Sequence, residues 1–138
     1  MLLKSLKVGM LCAAVTGLFG GELPAEVQAK FIKILCASAG SAGKVACREA
    51  GLAAELTKVG LTVDPSSKVI WAASDSEARA GKSMGKLVIC GHTESLPLGG
   101  AIAIVEEGGK PQIYLHMGNI AASGITLSDA VLKIGRKL

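Results

Sequence analysis

Apolar residues recur along this chain in two rhythms. From Glu26, the residues Val27, Phe31, Ile34 and Leu35 fall at three- and four-residue spacing, with Lys30 and Lys33 off that line. This predicts one face of an amphipathic helix, which Ser38 ends at the next position on the stripe. A strand over residues 31–36 is the rival reading of the same stretch. Leu52, Leu56 and Val59 repeat the helical spacing, and Gly60 stands where a second helix would stop. The other rhythm is an unbroken apolar run, at residues 68–73 (with Val69, Ile70 and Trp71) and again at 86–90. Such runs predict strands buried on both faces. Between them, residues 75–83 are polar and predict a surface helix.

The breaks are as informative as the runs. Residues 39–43 (Ala-Gly-Ser-Ala-Gly) interrupt the first helix and predict a loop, followed by a short strand at 44–48. Pro65-Ser66-Ser67 predicts a turn. Residues 101–107 and 112–116 flank Gly108-Gly109-Lys110-Pro111 and predict a hairpin. Pro111 has no N–H for a ladder, which places it at the start of an edge strand. Beyond Gly124, a helix over residues 127–137 is expected, capped by Thr126 or Ser128, with Ala130, Val131, Ile134 and Leu138 as its apolar face. Together these predict a single α/β domain. Its sheet is mixed, mostly parallel and of four to six strands, with helices on both faces, a C-terminal hairpin and a closing helix.

The first 25 residues have a different texture. Lys4 and Lys7 precede an uncharged, mostly apolar stretch of residues 8–20, and Glu22 is the first acidic residue. A stretch this short does not span a hydrocarbon core, which takes about 20 residues. It reads as a secretory signal peptide over residues 1–25, cut after Ala25, with Ala29 as the alternative site and 26–138 as the mature domain. Cys12 lies inside the apolar stretch and not in a lipid-attachment motif, so no stable membrane anchor is expected. An uncleaved buried helix is the competing reading.

Composition narrows the function. The 138 residues are half apolar but only 3% aromatic, which leaves no platform for stacking bases or sugars. Without residues 1–25 the balance is 13 basic to 10 acidic residues, scattered along the chain. That is too mild for a nucleic-acid partner. Export implies an oxidising compartment, where Cys36, Cys47 and Cys90 are candidates for one disulfide and a remaining free thiol. The odd count also leaves pairing between two chains, a homodimer, open. Their spacing matches no zinc pattern.

Candidate chemistry is sparse. Gly81-Lys82-Ser83 resembles the tail of a phosphate-binding loop, but Ser76 replaces the early glycine and a strand follows too soon. Gly40-Ser41-Ala42-Gly43-Lys44 fails likewise, with Ser38 and Val45 at the required positions. The two histidines, His92 and His116, stand without a serine elbow and read as structural or solvated. Glu106-Glu107 reads as a solvated hairpin end, because adjacent strand residues point to opposite faces. No catalytic residue, metal or cofactor is expected.

The last forty residues run GGAIAIVEEGGKPQIYLHMGNIAASGITLSDAVLKIGRKL. This order of glycine pair, strand, glycine turn, strand, small-residue segment and closing helix resembles the YfiR/HmsC-like family of periplasmic regulators. Val45-Ala46-Cys47 is similar to that family's first strand. His116 stands where the family has Asn, and the segment between Gly60 and Lys68 is short, so one strand is expected to be reduced or absent. The resemblance implies a non-enzymatic regulator that inhibits an inner-membrane diguanylate cyclase by binding its periplasmic part. It would use an exposed patch on the second hairpin strand, with Ile113, Tyr114 and Leu115 as candidates. A small-ligand-binding protein, with residues 91–100 as a mouth at the strand ends, is the alternative.

Overall fold

A computed structural model describes residues 22–138. Among the described residues, seven strands form a five-stranded sheet and a two-stranded one beside it. The first, β1 (Lys44–Val45), pairs in parallel with β2 (Thr62–Val63). A further parallel bridge from Ala46 to Ile70 joins this pair to β3 (Val69–Ala72), through Ala46 N–H to Val69 O and Trp71 N–H to Ala46 O, both 2.9 Å. From β3 the sheet continues in order through β4 (Leu87–Cys90), β5 (Ile102–Glu107), β6 (Lys110–Leu115) and β7 (Arg136–Lys137). Strands β3 to β5 are parallel, β5 and β6 form the antiparallel hairpin, and β7 runs parallel to β6. The expected α/β class and mixed, mostly parallel sheet are what the molecule has.

Among the described residues, five α-helices surround the sheet: α1 (Ala25–Ala39), α2 (Ala50–Lys58), α3 (Asp75–Ser83), α4 (Met117–Ala122) and α5 (Asp129–Ile134). A 3-10 helix, Thr93–Leu98, occupies the segment expected to be an open loop. The main core gathers Ile32 and Leu35 of α1, Leu52 and Leu56 of α2, Trp71, Ile89, Ile102 and Leu115 of the strands, and Val131 of α5. On the opposite face, Ala78 of α3 packs on Ala72 and Val88, and Leu96 of the 3-10 helix packs with Cys90, Ala103 and Val105. The first and last helices therefore share one core instead of covering opposite faces.

Local chemistry accounts for several boundaries. Ser74 caps α3 by accepting the Glu77 N–H at 3.2 Å, while the Glu77 carboxylate reaches back to the Ala73 N–H at 3.0 Å. This near-reciprocal pairing satisfies two donors that a helix start leaves open. At the other end of α1, Gly40 adopts the left-handed conformation and its N–H returns to Ala37 O.

Three expectations need correction. In α1 the helix forms, but it buries Gln28, Ala29, Ile32, Leu35, Cys36 and Ala39, while Ile34 is 50% exposed. The buried stripe is thus rotated towards small apolar side chains, which let a helix approach its neighbour closely. The closing helix is short: it stops at Ile134, and Arg136–Lys137 peel off to pair with Tyr114 and Leu115. Only Val131 of its expected apolar face is buried; Ala130, Ile134 and Leu138 are exposed. The small-residue segment before it holds α4, capped by His116, whose Nδ1 accepts the Asn119 N–H at 3.0 Å. Residues 1–21 of the expected leader lie outside the described residues. Of the rest of it, Leu23 is buried in the core.

Helix α3 lies on the sheet through Gly81. A Cβ there would fall 2.7 Å from Val88 Cγ2 and 3.1 Å from Ile70 Cγ2. Alanine at this site gains about 1 kcal/mol of helix propensity but loses about 1–3 kcal/mol to overpacking. Gly81→Ala should therefore lower the chemical-denaturation midpoint. Gly51→Ala, in α2 with nothing within 4 Å of its Cβ position, should raise it. Midpoints moving in the same direction for both would contradict this account of α3 packing.

Candidate functional site

In the strand order β2-β1-β3, the connection through α2 leaves β1 on one side and the return to β3 passes to the other. The strand order thus reverses between β1 and β3, the kind of switch point at which open α/β sheets bind ligands. The return is made by residues 64–68 alone, which contain no helix. Asp64 forms the turn by accepting the Ser66 N–H and hydroxyl at 2.9 and 2.8 Å, and Ser67 Oγ donates to Lys44 O at 2.8 Å. These bonds hold the Asp64 carboxyl below its ordinary range, with Lys44 and Lys86 adding smaller contributions.

A cavity of about 340 Å³ opens beside this turn. Ala46 and Ile70 line it from the strands, Pro65 from the turn and Met84 from the C-terminal end of α3; Arg48 and Lys86 bring two cations to it. Met84 is 60% exposed, and Lys86 Nζ donates to Pro65 O at 3.0 Å. No carboxylate among the described residues forms an ion pair with either cation. Cys47 and Trp71 complete the wall towards the crest. There the indole Nε1 donates to Glu49 Oε1 at 2.7 Å, which fixes both side chains.

The crest itself is closed by the segment before α1. Glu22 Oε2 lies 3.5 Å from His92 Nε2, and a Cβ on Gly91 would meet Glu22 Oε2 at 3.0 Å and the Trp71 ring at 3.2 Å. The Gln28 amide nitrogen is buried here without a hydrogen-bond partner among the described residues. Ser95 Oγ donates to Asp75 Oδ1 at 2.9 Å, and buried Asn119 donates to Leu96 O and Gly100 O at 2.8 and 2.9 Å. The expected mouth over residues 91–100 is therefore a bonded lid, and the opening lies one strand away.

The other candidates scatter. Ile113 and Leu115 are core residues, at 4% and 0% exposure, because their side of β6 faces α4 and α5. Tyr114 points to the other side and keeps surface. Its hydroxyl donates to the Glu107 carboxylate at 2.6 Å, which holds the phenol above its ordinary range, and Arg136 lies 5.8 Å from the ring centroid. Cys36 and Cys90 are buried, Cys47 is half-buried, and all three are free thiols. The single S–H of Cys90 has two carbonyl acceptors in range, His92 O at 3.4 Å and Ile102 O at 3.5 Å. Burial raises each thiol pKa, and pushes that of Cys90 up to about 12.

The cavity was not among the sites expected from sequence. Its signal was the shortness of residues 61–67, which read as a reduced strand; the missing covering helix is the structural consequence.

Comparison with known proteins places this fold but not a family. No described protein family matches the chain, and no curated protein does. Among solved structures, a conserved domain protein from Vibrio cholerae superposes with a TM-score of 0.62 at 13% identity, over 83% of this chain. The ABC domain in complex with L-Trp from Streptococcus pneumoniae superposes with a TM-score of 0.59 at 15% identity, over the same share. This chain spans 60% of the length of each.

The thiols give a test with two readings. At neutral pH a thiol reagent should modify Cys47 in the folded protein, and Cys36 and Cys90 only after denaturant is added. The Cys90 thiol is raised in the folded state, so its contribution to stability is whole below the ordinary thiol pKa of 9.0. That contribution is lost as pH rises towards about 12. Melting curves from pH 8 to 11 should fall more steeply for the natural protein than for Cys90→Ala. Rapid labelling of Cys90 in the folded state would refute its placement.

Proposed function

We propose that this domain is a non-catalytic small-molecule-binding protein whose ligand enters the cavity between β1 and β3. The observation that carries this reading is the cavity's position at the point where the strand order reverses, lined by side chains of both neighbouring strands. The similar fold of a domain described in complex with L-Trp supports the same reading at the level of the fold. The chemistry around the cavity suits binding more than turnover. Neither histidine side chain is hydrogen-bonded to a serine, threonine or cysteine side chain among the described residues, and Cys47 is shifted away from the reactive thiolate form.

L-Trp and 3-phenylpropionate are suitable first probes. Titrated into labelled protein, at least one should move the amide resonances of Ala46, Ile70 and Met84 together. Shifts confined to residues 91–100 would move the site to the crest, and shifts nowhere would remove the binding reading.

The family resemblance supplies a second reading, in which the exported protein damps a membrane diguanylate cyclase through a protein contact. Tyr114 is the residue that favours it, since a half-buried tyrosine beside an arginine is the type that anchors interfaces. Tyr114→Asp should then raise cellular cyclic-di-GMP while leaving the melting temperature within a few degrees. Unchanged cyclic-di-GMP in both this variant and a deletion strain would discard the contact.

A further inference from the structure

Resting on the binding site proposed above, we infer that the β1–β3 cavity selects a small apolar carboxylate over an amino acid or an amine. Three observations lead there. The cavity's side chains divide into an apolar set, Ala46, Pro65, Ile70 and Met84, and two cations, Arg48 and Lys86. Neither cation has a carboxylate within 4.0 Å among the described residues, and Lys86 acts on Asp64 only at longer range, so a negative ligand group would be the first to contact either directly. The carboxylate nearest the crest end, Glu49, is already held by the Trp71 indole N–H at 2.7 Å. No Asp or Glu is part of the wall, so an ammonium group would meet no lining carboxylate there.

Size sets a second limit. A cavity of about 340 Å³ holds roughly eleven groups the size of a water molecule, each filling about 30 Å³. That suits one ring or a short chain bearing one acid group, and excludes a nucleotide or a long acyl chain. The apolar part would lie against Ile70 and Met84, where the sheet lacks a covering helix. The acid would meet Lys86, whose ammonium has donors to spare beyond its bond to Pro65 O, and Arg48. Lys86 is the better anchored of the two because that bond holds its side chain over the turn. A charge-assisted contact of this kind separates acids from amines of the same shape by about tenfold or more.

Three probes of nearly one shape isolate the charge: 3-phenylpropionate, L-Phe and 3-phenylpropylamine, each titrated calorimetrically into the full protein. The acid should bind at least tenfold more tightly than the other two. Lys86→Gln should weaken the acid about tenfold, Arg48→Gln should weaken it also, and neither should weaken the amine. Met84→Glu, at a largely exposed position that leaves the fold intact, should weaken the acid further by adding a negative charge beside the cavity. Melting temperatures of all three variants within a few degrees of the natural protein keep unfolding from mimicking a lost contact. If L-Phe or the amine binds as tightly as the acid, with resonances still moving around the cavity, the carboxylate preference is wrong and the site stands. If none of the three binds, or all bind with no effect of any variant, the site fails along with the preference.

Discussion

The double burial of β4 is the constraint on which the rest of the structure depends. Leu87, Val88, Ile89 and Cys90 are all buried, so each face of this strand must be covered by another element. Leu87 and Ile89 belong to the core beneath α1 and α2, whereas Val88 meets α3 and Cys90 meets the 3-10 helix. At about 1.5–3 kcal/mol for each large side chain, losing either cover would remove a sizeable fraction of a small domain's net stability. Gly81 is the consequence on one side, since only a residue without a Cβ lets α3 come this close to Val88. The buried Cys90 thiol is the consequence at the strand's end, where lack of water keeps it protonated.

Cover is complete around β4 and incomplete one strand over. The return from β2 to β3 is a turn held by Asp64 and Ser67, where parallel sheets ordinarily place a helix. That leaves Ile70 half-buried and Met84 exposed beside Ala46, with Lys86 bonded across the turn. The same economy of chain that shortens the domain creates its cavity. Charge follows from the strand order too: Lys44, Lys68 and Lys86 each stand at or just before the start of a parallel strand, so parallel alignment gathers them at one edge.

The closed end of the sheet is built by long-range polar contacts. Asn119 ties α4 to the 3-10 helix, Ser95 ties that helix to Asp75, and Glu22 leans on His92. None of these pairs is close in sequence, and each residue alone reads as an ordinary loop polar group. Their effect is to make residues 91–100 a lid where an open mouth was expected.

What the sequence determined by itself is what local pattern can carry. Unbroken apolar runs specify strands β3 and β4 because only a doubly covered strand keeps every side chain from water. The polar stretch with Ser74 and Glu77 specifies α3, and the glycine pair specifies the hairpin turn, because caps and turns are chosen by neighbouring residues. Tertiary structure decided the rest. It chose the buried face of α1, because Ala29 and Cys36 become core residues only when another surface approaches them. It stopped α5 at Ile134, where Arg136 and Lys137 turn away to pair with β6. It buried Ile113 and Leu115 while leaving Tyr114 at the surface, as pleating sends alternate residues to opposite faces and only the packed helices say which face is covered. It also made the cavity, which exists because a helix is missing above β1 and β3, and an absence of that kind is written in no local pattern.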